Sequence, residues 1–414
     1  MNSILSLLNN KKIALKLIFT FSLLISSLFL IFLRHLGPVE HEVPGTDYFI
    51  LYKPMAQTIL QGSGNLLQKN SLIVAAPGYP IFFLLPIFAL SEISGINELS
   101  LIVFFNAVII AFSVCVLFRI TKIMFNQKIA LIAAILWASY PLHLWLLKNP
   151  NTEVPFLLLF FIAIYLLIRK HPTFSSYFLA GFFLGLAILI RPIALFLPIL
   201  FAVLTLLFQK NSLRLSALLL AGSLLILTPW IGYASFATGH FVPVASSGHQ
   251  AILSGLTFAF VRNGEHLKEM PEDVRILMEQ VKKAHITRLG NIIKFLFNEA
   301  NANPIPVIKL LELKLLRSWY ATYDMWWEKE IALLQIPYLL TAFAGIALVF
   351  KKLKRYTSLY LCLSIVGYFW VMTFLALSIV RYMIPAMAIL MIFSAFTLSE
   401  IWTSRSKTHK WDTR

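Results

Sequence analysis

The feature that most constrains this chain is a series of long apolar runs punctuated by clusters of basic residues. Crossing the hydrocarbon core of a bilayer takes about 20 apolar residues in helical form. Runs near that length lie close to residues 15–34, 98–118, 129–147, 153–168, 176–190, 192–208, 215–234, 331–350, 357–377 and 380–402. The pattern predicts an all-α polytopic membrane protein with about ten transmembrane helices. Composition agrees: 59% of the 414 residues are apolar and 13% charged, with a mean hydropathy of +0.80. That is too little charge to coat several soluble domains.

The basic residues sort by side. Six groups stand between apolar runs or at the chain ends: Lys11, Lys12 and Lys16; Arg119, Lys122 and Lys128; Arg169 and Lys170; Lys210 and Arg214; Lys351, Lys352, Lys354 and Arg355; Arg405, Lys407, Lys410 and Arg414. With a cytoplasmic N-terminus and ten spans, every group falls inside, as short inner loops require. Only Glu400 and Asp412 among the acids join them. The net charge of +17 is therefore a topology signal, and nucleic acid is not an expected partner. The expected location is the plasma (inner) membrane, multi-pass, with both termini cytoplasmic.

One apolar stretch, Ile81 to Leu90 after Pro77-Gly78-Tyr79-Pro80, is too short to cross and is assigned to the outer face. The first run lacks a small-x-small cleavage site before Arg34 and His35, so a retained anchor is expected in place of a signal peptide. The organisation expected is an N-terminal transmembrane module (1–234) with an outer loop at 35–97, a helical outer-face loop (235–330), and C-terminal transmembrane helices with a cytoplasmic tail (331–414).

Within the first loop, Phe49, Ile50, Leu51, Met55, Ile59 and Leu60 have the spacing of a juxtamembrane amphipathic helix ending at Gly62-Ser63-Gly64. In the second, Pro271-Glu272-Asp273 signals a helix start and Pro304 with Pro306 a restart. Trp319, Tyr320, Tyr323, Trp326 and Trp327 read as an aromatic belt at headgroup depth. Cys115 and Cys362 both lie in apolar runs and offer no disulfide framework. Nucleotide-loop, zinc-ligand and dinucleotide-binding motifs are absent.

Ionisable groups at the edge of an apolar bundle are costly, which makes each a functional candidate. Asp47 follows the first span; its plain alternative is a helix N-cap. Glu153 opens the fourth span, where an acid also complements the helix dipole. Arg191-Pro192 lies between the fifth and sixth spans and Arg381-Tyr382 opens the last. These guanidinium groups either snorkel to lipid phosphate or bind a phosphate bidentately. Lys53 and Lys69 are weaker candidates of the same kind, and His41, His143, His240 and His249 read more simply as ordinary polar groups. Two carboxylates and two arginines on one side suit transfer of a group from a membrane-resident phosphate ester. One carboxylate takes a proton from an acceptor hydroxyl, and fixed cations stabilise the departing phosphate.

The order of these features resembles the membrane-embedded GT-C glycosyltransferases that use polyprenyl-phosphate sugars, a superfamily that includes protein O-mannosyltransferases (glycosyltransferase family 39-like) and lipid A aminoarabinose transferases. The elements carrying the resemblance are Asp47-Tyr48, Pro77 to Pro80, Thr152-Glu153-Val154-Pro155, Arg191-Pro192, Thr228-Pro229-Trp230 with Gly239 to Pro243 and Ser246 to His249, and Arg381-Tyr382 with Pro385. The resemblance implies an inverting transferase moving a sugar from a polyprenyl-phosphate donor to an acceptor hydroxyl on the periplasmic or extracellular face. Asp47 would be the general base and Glu153 a second acid positioning the acceptor. Arg191, Arg381 and Lys53 would contact the donor phosphate, with Tyr48, Tyr79, His249 and Tyr382 lining the donor or acceptor pocket. No metal or other cofactor is expected, since arginines alone can handle a monophosphate donor. The acceptor would be a glycan, a lipid or a protein. Competing readings are a polytopic transporter and an O-antigen ligase or polymerase using a diphosphate-linked donor.

Overall fold

The computed structural model describes residues 11–35, 47–60, 73–169, 173–257, 270–284, 286, 289–322, 327–352 and 357–408. His41, Gly62-Ser63-Gly64, Lys69, Tyr323 and Trp326 lie outside the described residues. Among those described, the chain is helical and contains no strand. It divides into two compact units: residues 1–245 with 354–361 and 395–414, and residues 246–353 with 362–394.

The first unit begins with α1 (Lys11–His35), followed by a π-helical turn Tyr48–Tyr52 and α2 (Lys53–Leu60). A second π-helical turn, Pro80–Leu84, leads into α3 (Leu85–Ser94). There follow α4 (Glu98–Met124), α5 (Gln127–Ala138), α6 (Pro141–Trp145), α7 (Glu153–Leu167), α8 (Phe174–Ile190), α9 (Leu197–Phe208) and α10 (Ser212–Thr238). Asn97 caps α4 by accepting from the Leu99 N–H at 2.8 Å, and Gly95 just before it closes α3 in the left-handed conformation at φ 69°.

In the second unit, α11 (Gly248–Leu256), α12 (Glu272–Lys283), α13 (Leu289–Ala302) and α14 (Pro304–Arg317) enclose a small core around Val274, Leu277, Val281 and Leu310. The helix start at Glu272 and the restart at Pro304 fall where the sequence signals them. The last three helices are α15 (Glu328–Lys352), α16 (Thr357–Leu375) and α17 (Val380–Thr408).

Six helices among the described residues are long and apolar enough to cross a membrane, or seven when the bent pair formed by 127–138 and 141–148 counts as one span. The apolar runs expected at 153–168, 176–190 and 192–208 form shorter helices. At 1.5 Å per residue, α7 and α8 extend only about 22–26 Å. The segment after Pro80 is likewise a short apolar helix, Pro80–Ser94.

In sequence, Pro229-Trp230 reads most simply as a helix terminus with an interfacial aromatic, yet α10 runs through Pro229 to Thr238. A proline inside a helix removes one backbone hydrogen bond without forbidding continuation. Here the Thr228 hydroxyl donates to the Leu224 carbonyl at 2.7 Å, and the Trp230 indole N–H donates to the Val244 carbonyl at 2.7 Å, tying the following loop back to the helix. Lower in the same helix Gly222 faces Gly181 of α8. A Cβ on Gly222 would lie 2.1 Å from the Phe178 carbonyl oxygen, and one on Gly181 would lie 1.9 Å from that of Leu219. Small residues thus let these two backbones pack at a distance no side chain would permit.

Candidate active site

The helical hairpin α7–α8 builds the centre of the site. Glu153 is the first residue of α7, and Arg191 caps the end of α8, so an antiparallel pair of helices brings the two to the same open end. They form an ion pair through Arg191 Nη1 and Glu153 Oε1, with Glu153 3% and Arg191 8% exposed. The same Nη1 donates to the Thr152 hydroxyl at 3.3 Å. A charge pair so far removed from water is tolerated only with close geometry and further hydrogen bonds. The pair therefore fixes the guanidinium in place.

The Pro77–Pro80 element seats against this end of α8. A Cβ on Gly78 would fall 2.6 Å from the Leu189 carbonyl carbon and 2.8 Å from the Ile190 nitrogen, two residues and one residue before Arg191. Only glycine allows that approach. The next residue, Tyr79, is fully buried. Its ring meets Tyr52 edge-on at 5.3 Å and stacks on Phe83 at 5.1 Å.

Those tyrosines connect the pair to the segment after the first helix. Tyr48 is 2% exposed, and its hydroxyl donates to Glu98 Oε1 at 3.0 Å. Burial, followed by the charge of Glu98 and this hydrogen bond, pushes the Tyr48 phenol far above the ordinary tyrosine range, so it stays a hydrogen-bond donor. Lys53 forms an ion pair with the same Glu98 oxygen. Immediately before Tyr48, Asp47 is exposed and stands at the N-cap position with helical backbone angles. Its side chain makes no capping hydrogen bond, so the plain alternative role is not the one the structure displays.

The structure thus gathers Tyr48, Lys53, Tyr79, Glu153 and Arg191 into one unit, with Asp47 beside Tyr48. Glu98 and Tyr52 belong to the same cluster and are not singled out in the sequence, where Thr152 appears only as part of the element around Glu153. Glu98 reads there as one more acid in the first turn of a helix, and only its contacts distinguish it. Arg381, Tyr382 and His249 belong to the second unit. Arg381 is exposed in the first turn of α17, Tyr382 packs on the Leu377–Ile379 cluster, and His249 lies in the first turn of α11. His143 is fully buried, its ring stacked on Trp137 at 3.9 Å with Nδ1 3.3 Å from the Trp137 carbonyl oxygen. This is a packed core histidine. Among the described residues, no three His, Cys, Asp or Glu side chains form a group that could hold a metal ion.

Chemically, the cluster offers a fixed guanidinium at the end of a helical hairpin, a buried carboxylate on it, a set of phenols, and an exposed carboxylate next to Tyr48 in the chain. The family model described as dolichyl-phosphate-mannose-protein mannosyltransferase matches residues 79–233, which contain Tyr79, Glu153 and Arg191. Among curated proteins, no relative matches the chain. Among solved structures, the chain is similar to the archaeal oligosaccharyltransferase AglB from Archaeoglobus fulgidus, determined with an inhibitory peptide and a dolichol-phosphate. The TM-score is 0.56 at 14% identity, over 97% of this chain and 52% of that one, so the chain spans about half the length of the oligosaccharyltransferase. The protein is therefore a multi-pass membrane protein, helical throughout its described residues, with a GT-C-like fold.

Proposed function

We propose that this protein is an inverting glycosyltransferase that moves a sugar from a polyprenyl-phosphate donor to an acceptor hydroxyl on the outer face of the membrane. The observation that carries the reading is the buried Glu153–Arg191 pair, built within the segment that matches the mannosyltransferase family and linked through the Tyr79–Tyr52 ring contact to the segment that follows Asp47. The dolichol-phosphate in the similar oligosaccharyltransferase supports a lipid-phosphate donor.

In this reading the Asp47 carboxylate accepts the proton of the acceptor hydroxyl as that oxygen attacks the anomeric carbon. The bond from the anomeric carbon to the phosphate oxygen breaks on the opposite side, and the polyprenyl phosphate leaves with the electron pair. Arg191, aimed by Glu153 and Thr152, stabilises the negative charge gathering on that phosphate. Lys53, held by Glu98, supports the same electrostatics from the adjacent segment. Arg381 is proposed as a further donor-phosphate contact, and Tyr79, Tyr382 and His249 as pocket residues.

The test is a transfer assay in membranes with a radiolabelled polyprenyl-phosphate sugar. Asp47→Asn should lower transfer by roughly 10²–10⁴-fold, the range of general-base catalysis, while its exposed position leaves thermal stability unchanged. Transfer by that variant at the wild-type rate would refute the assignment of the base. Release of a lipid diphosphate from the donor would refute the donor class and favour an O-antigen ligase or polymerase.

A further inference from the structure

A second site lies at the other end of the first unit. Glu98 begins α4 beside Tyr48 and Lys53, and Arg119 lies near its end. The rise of 1.5 Å per residue separates the two by about 31 Å, the thickness of a hydrocarbon core. Arg119 therefore sits at the membrane boundary opposite the candidate active site. There a groove of about 490 Å³ opens between α1 and α4. On α1 its walls include Lys16, Phe19 and Thr20, and on α4 Phe112, Cys115 and Arg119.

The groove is held open by named contacts. The Cys115 thiol approaches the Leu15 carbonyl at 3.7 Å, and the rings of Phe19 and Phe112 meet at 4.9 Å, so the two helices are fastened along the floor. The Arg119 guanidinium lies 5.9 Å from the Tyr165 ring. Both flanks face lipid, with Leu17, Leu24 and Phe112 each about half exposed. Among the described residues, the lining carries two cations and no carboxylate. It combines an apolar floor at acyl-chain depth with positive charge at headgroup depth.

We propose that this groove binds one anionic glycerophospholipid of that leaflet, its acyl chain against Phe19 and Phe112 and its phosphate between Lys16 and Arg119. Charge complementarity selects the headgroup: a basic pocket between transmembrane helices favours an anionic phosphodiester over a zwitterionic one. The site is separate from the transfer chemistry and stands whether or not that proposal holds.

Native mass spectrometry of the delipidated full-length protein in detergent tests it, with phosphatidylglycerol, phosphatidylcholine and a polyprenyl phosphate added separately and in competition. Wild type should retain one phosphatidylglycerol in clear preference to phosphatidylcholine. The double variant Lys16→Gln, Arg119→Gln should bind phosphatidylglycerol roughly 30-fold more weakly, each juxtamembrane cation contributing about fivefold. Thr20→Trp keeps both charges and obstructs the groove. It should also lose the lipid, and it carries the test if the charge variant does not fold. Unchanged phosphatidylglycerol retention by a folded variant would overturn the proposal. So would equal retention of phosphatidylcholine by wild type, or displacement of phosphatidylglycerol by the polyprenyl phosphate.

Discussion

Glu153 and Arg191 close the open end of a helical hairpin with an ion pair that is almost entirely buried, 3% and 8% exposed. Removing one member of such a pair leaves the other charge without its partner in a medium that solvates it poorly. The expected loss is about 3–5 kcal/mol. Glu153→Gln and Arg191→Met should therefore each lower the melting temperature of the purified protein by several degrees. The double variant should melt above the value expected from adding the two effects, because neither stranded charge remains. Strict additivity of the two losses would show that the residues do not act as a pair.

Gly78 matters for a different reason. Its missing side chain lets the Pro77–Pro80 element rest on the backbone of Leu189 and Ile190, next to Arg191. Gly78→Ala places a methyl group 2.6 Å from main-chain atoms that cannot rotate away. Overpacking of this kind typically costs about 1–3 kcal/mol. Because the displaced backbone leads into Arg191, transfer activity should fall further than stability alone explains. Gly232, where an added Cβ meets nothing within 4 Å, supplies the control: Gly232→Ala should leave both activity and melting temperature near wild type.

These two sites mark what the sequence discloses. Glu153 and Arg191 are visible as rare ionisable groups at the edges of apolar runs, because burying charge is costly enough to make each exception informative. Their pairing is not visible, since it depends on two successive helices returning to the same level. Gly78 is legible as part of a Pro-Gly-Tyr-Pro element, yet the backbone it touches belongs to a helix distant in sequence. Glu98 escapes altogether, because an acid in the first turn of a helix is already accounted for by the helix dipole. Pro229 misleads in the other direction. It reads as a terminator, whereas Thr228 bonding back to Leu224 accompanies a helix that continues to Thr238.

The shared carboxylate of Glu98 makes Tyr48 and Lys53 separable by experiment. The Tyr48 hydrogen bond is buried at the phenol end, and Tyr48→Phe should cost about 1 kcal/mol. The Lys53–Glu98 ion pair is partly open to solvent, with side chains 28% and 23% exposed, so Lys53→Met should cost less than about 1 kcal/mol. Because its ammonium is more open to solvent than the buried guanidinium, Lys53→Met should also raise the apparent KM for the donor less than Arg191→Met does. Steady-state kinetics over a range of donor concentrations measures the ranking. A larger effect from Lys53→Met would make Lys53 the principal phosphate ligand.

The second unit holds an amine whose titration should appear in stability. Lys314 on α14 is 2% exposed, and its Nζ donates to the Ala376 carbonyl at 2.9 Å, just after α16. Gly255 admits this contact, since a Cβ there would lie 1.8 Å from the Ala376 oxygen and 2.8 Å from Nζ. Burial lowers the lysine pKa from 10.5 to about 7. The unfolded chain thus holds more protons than the folded one between about pH 7 and 10.5, so this residue makes stability rise with pH across that window. Below about pH 7 the amine is charged in both states and the cost of burying that charge is at its largest. Lys314→Met should flatten the rise. Melting temperatures of the two proteins, measured from pH 6 to pH 9.5, should differ most in slope above pH 7. Parallel curves would show that Lys314 binds its proton equally in the folded and unfolded chain.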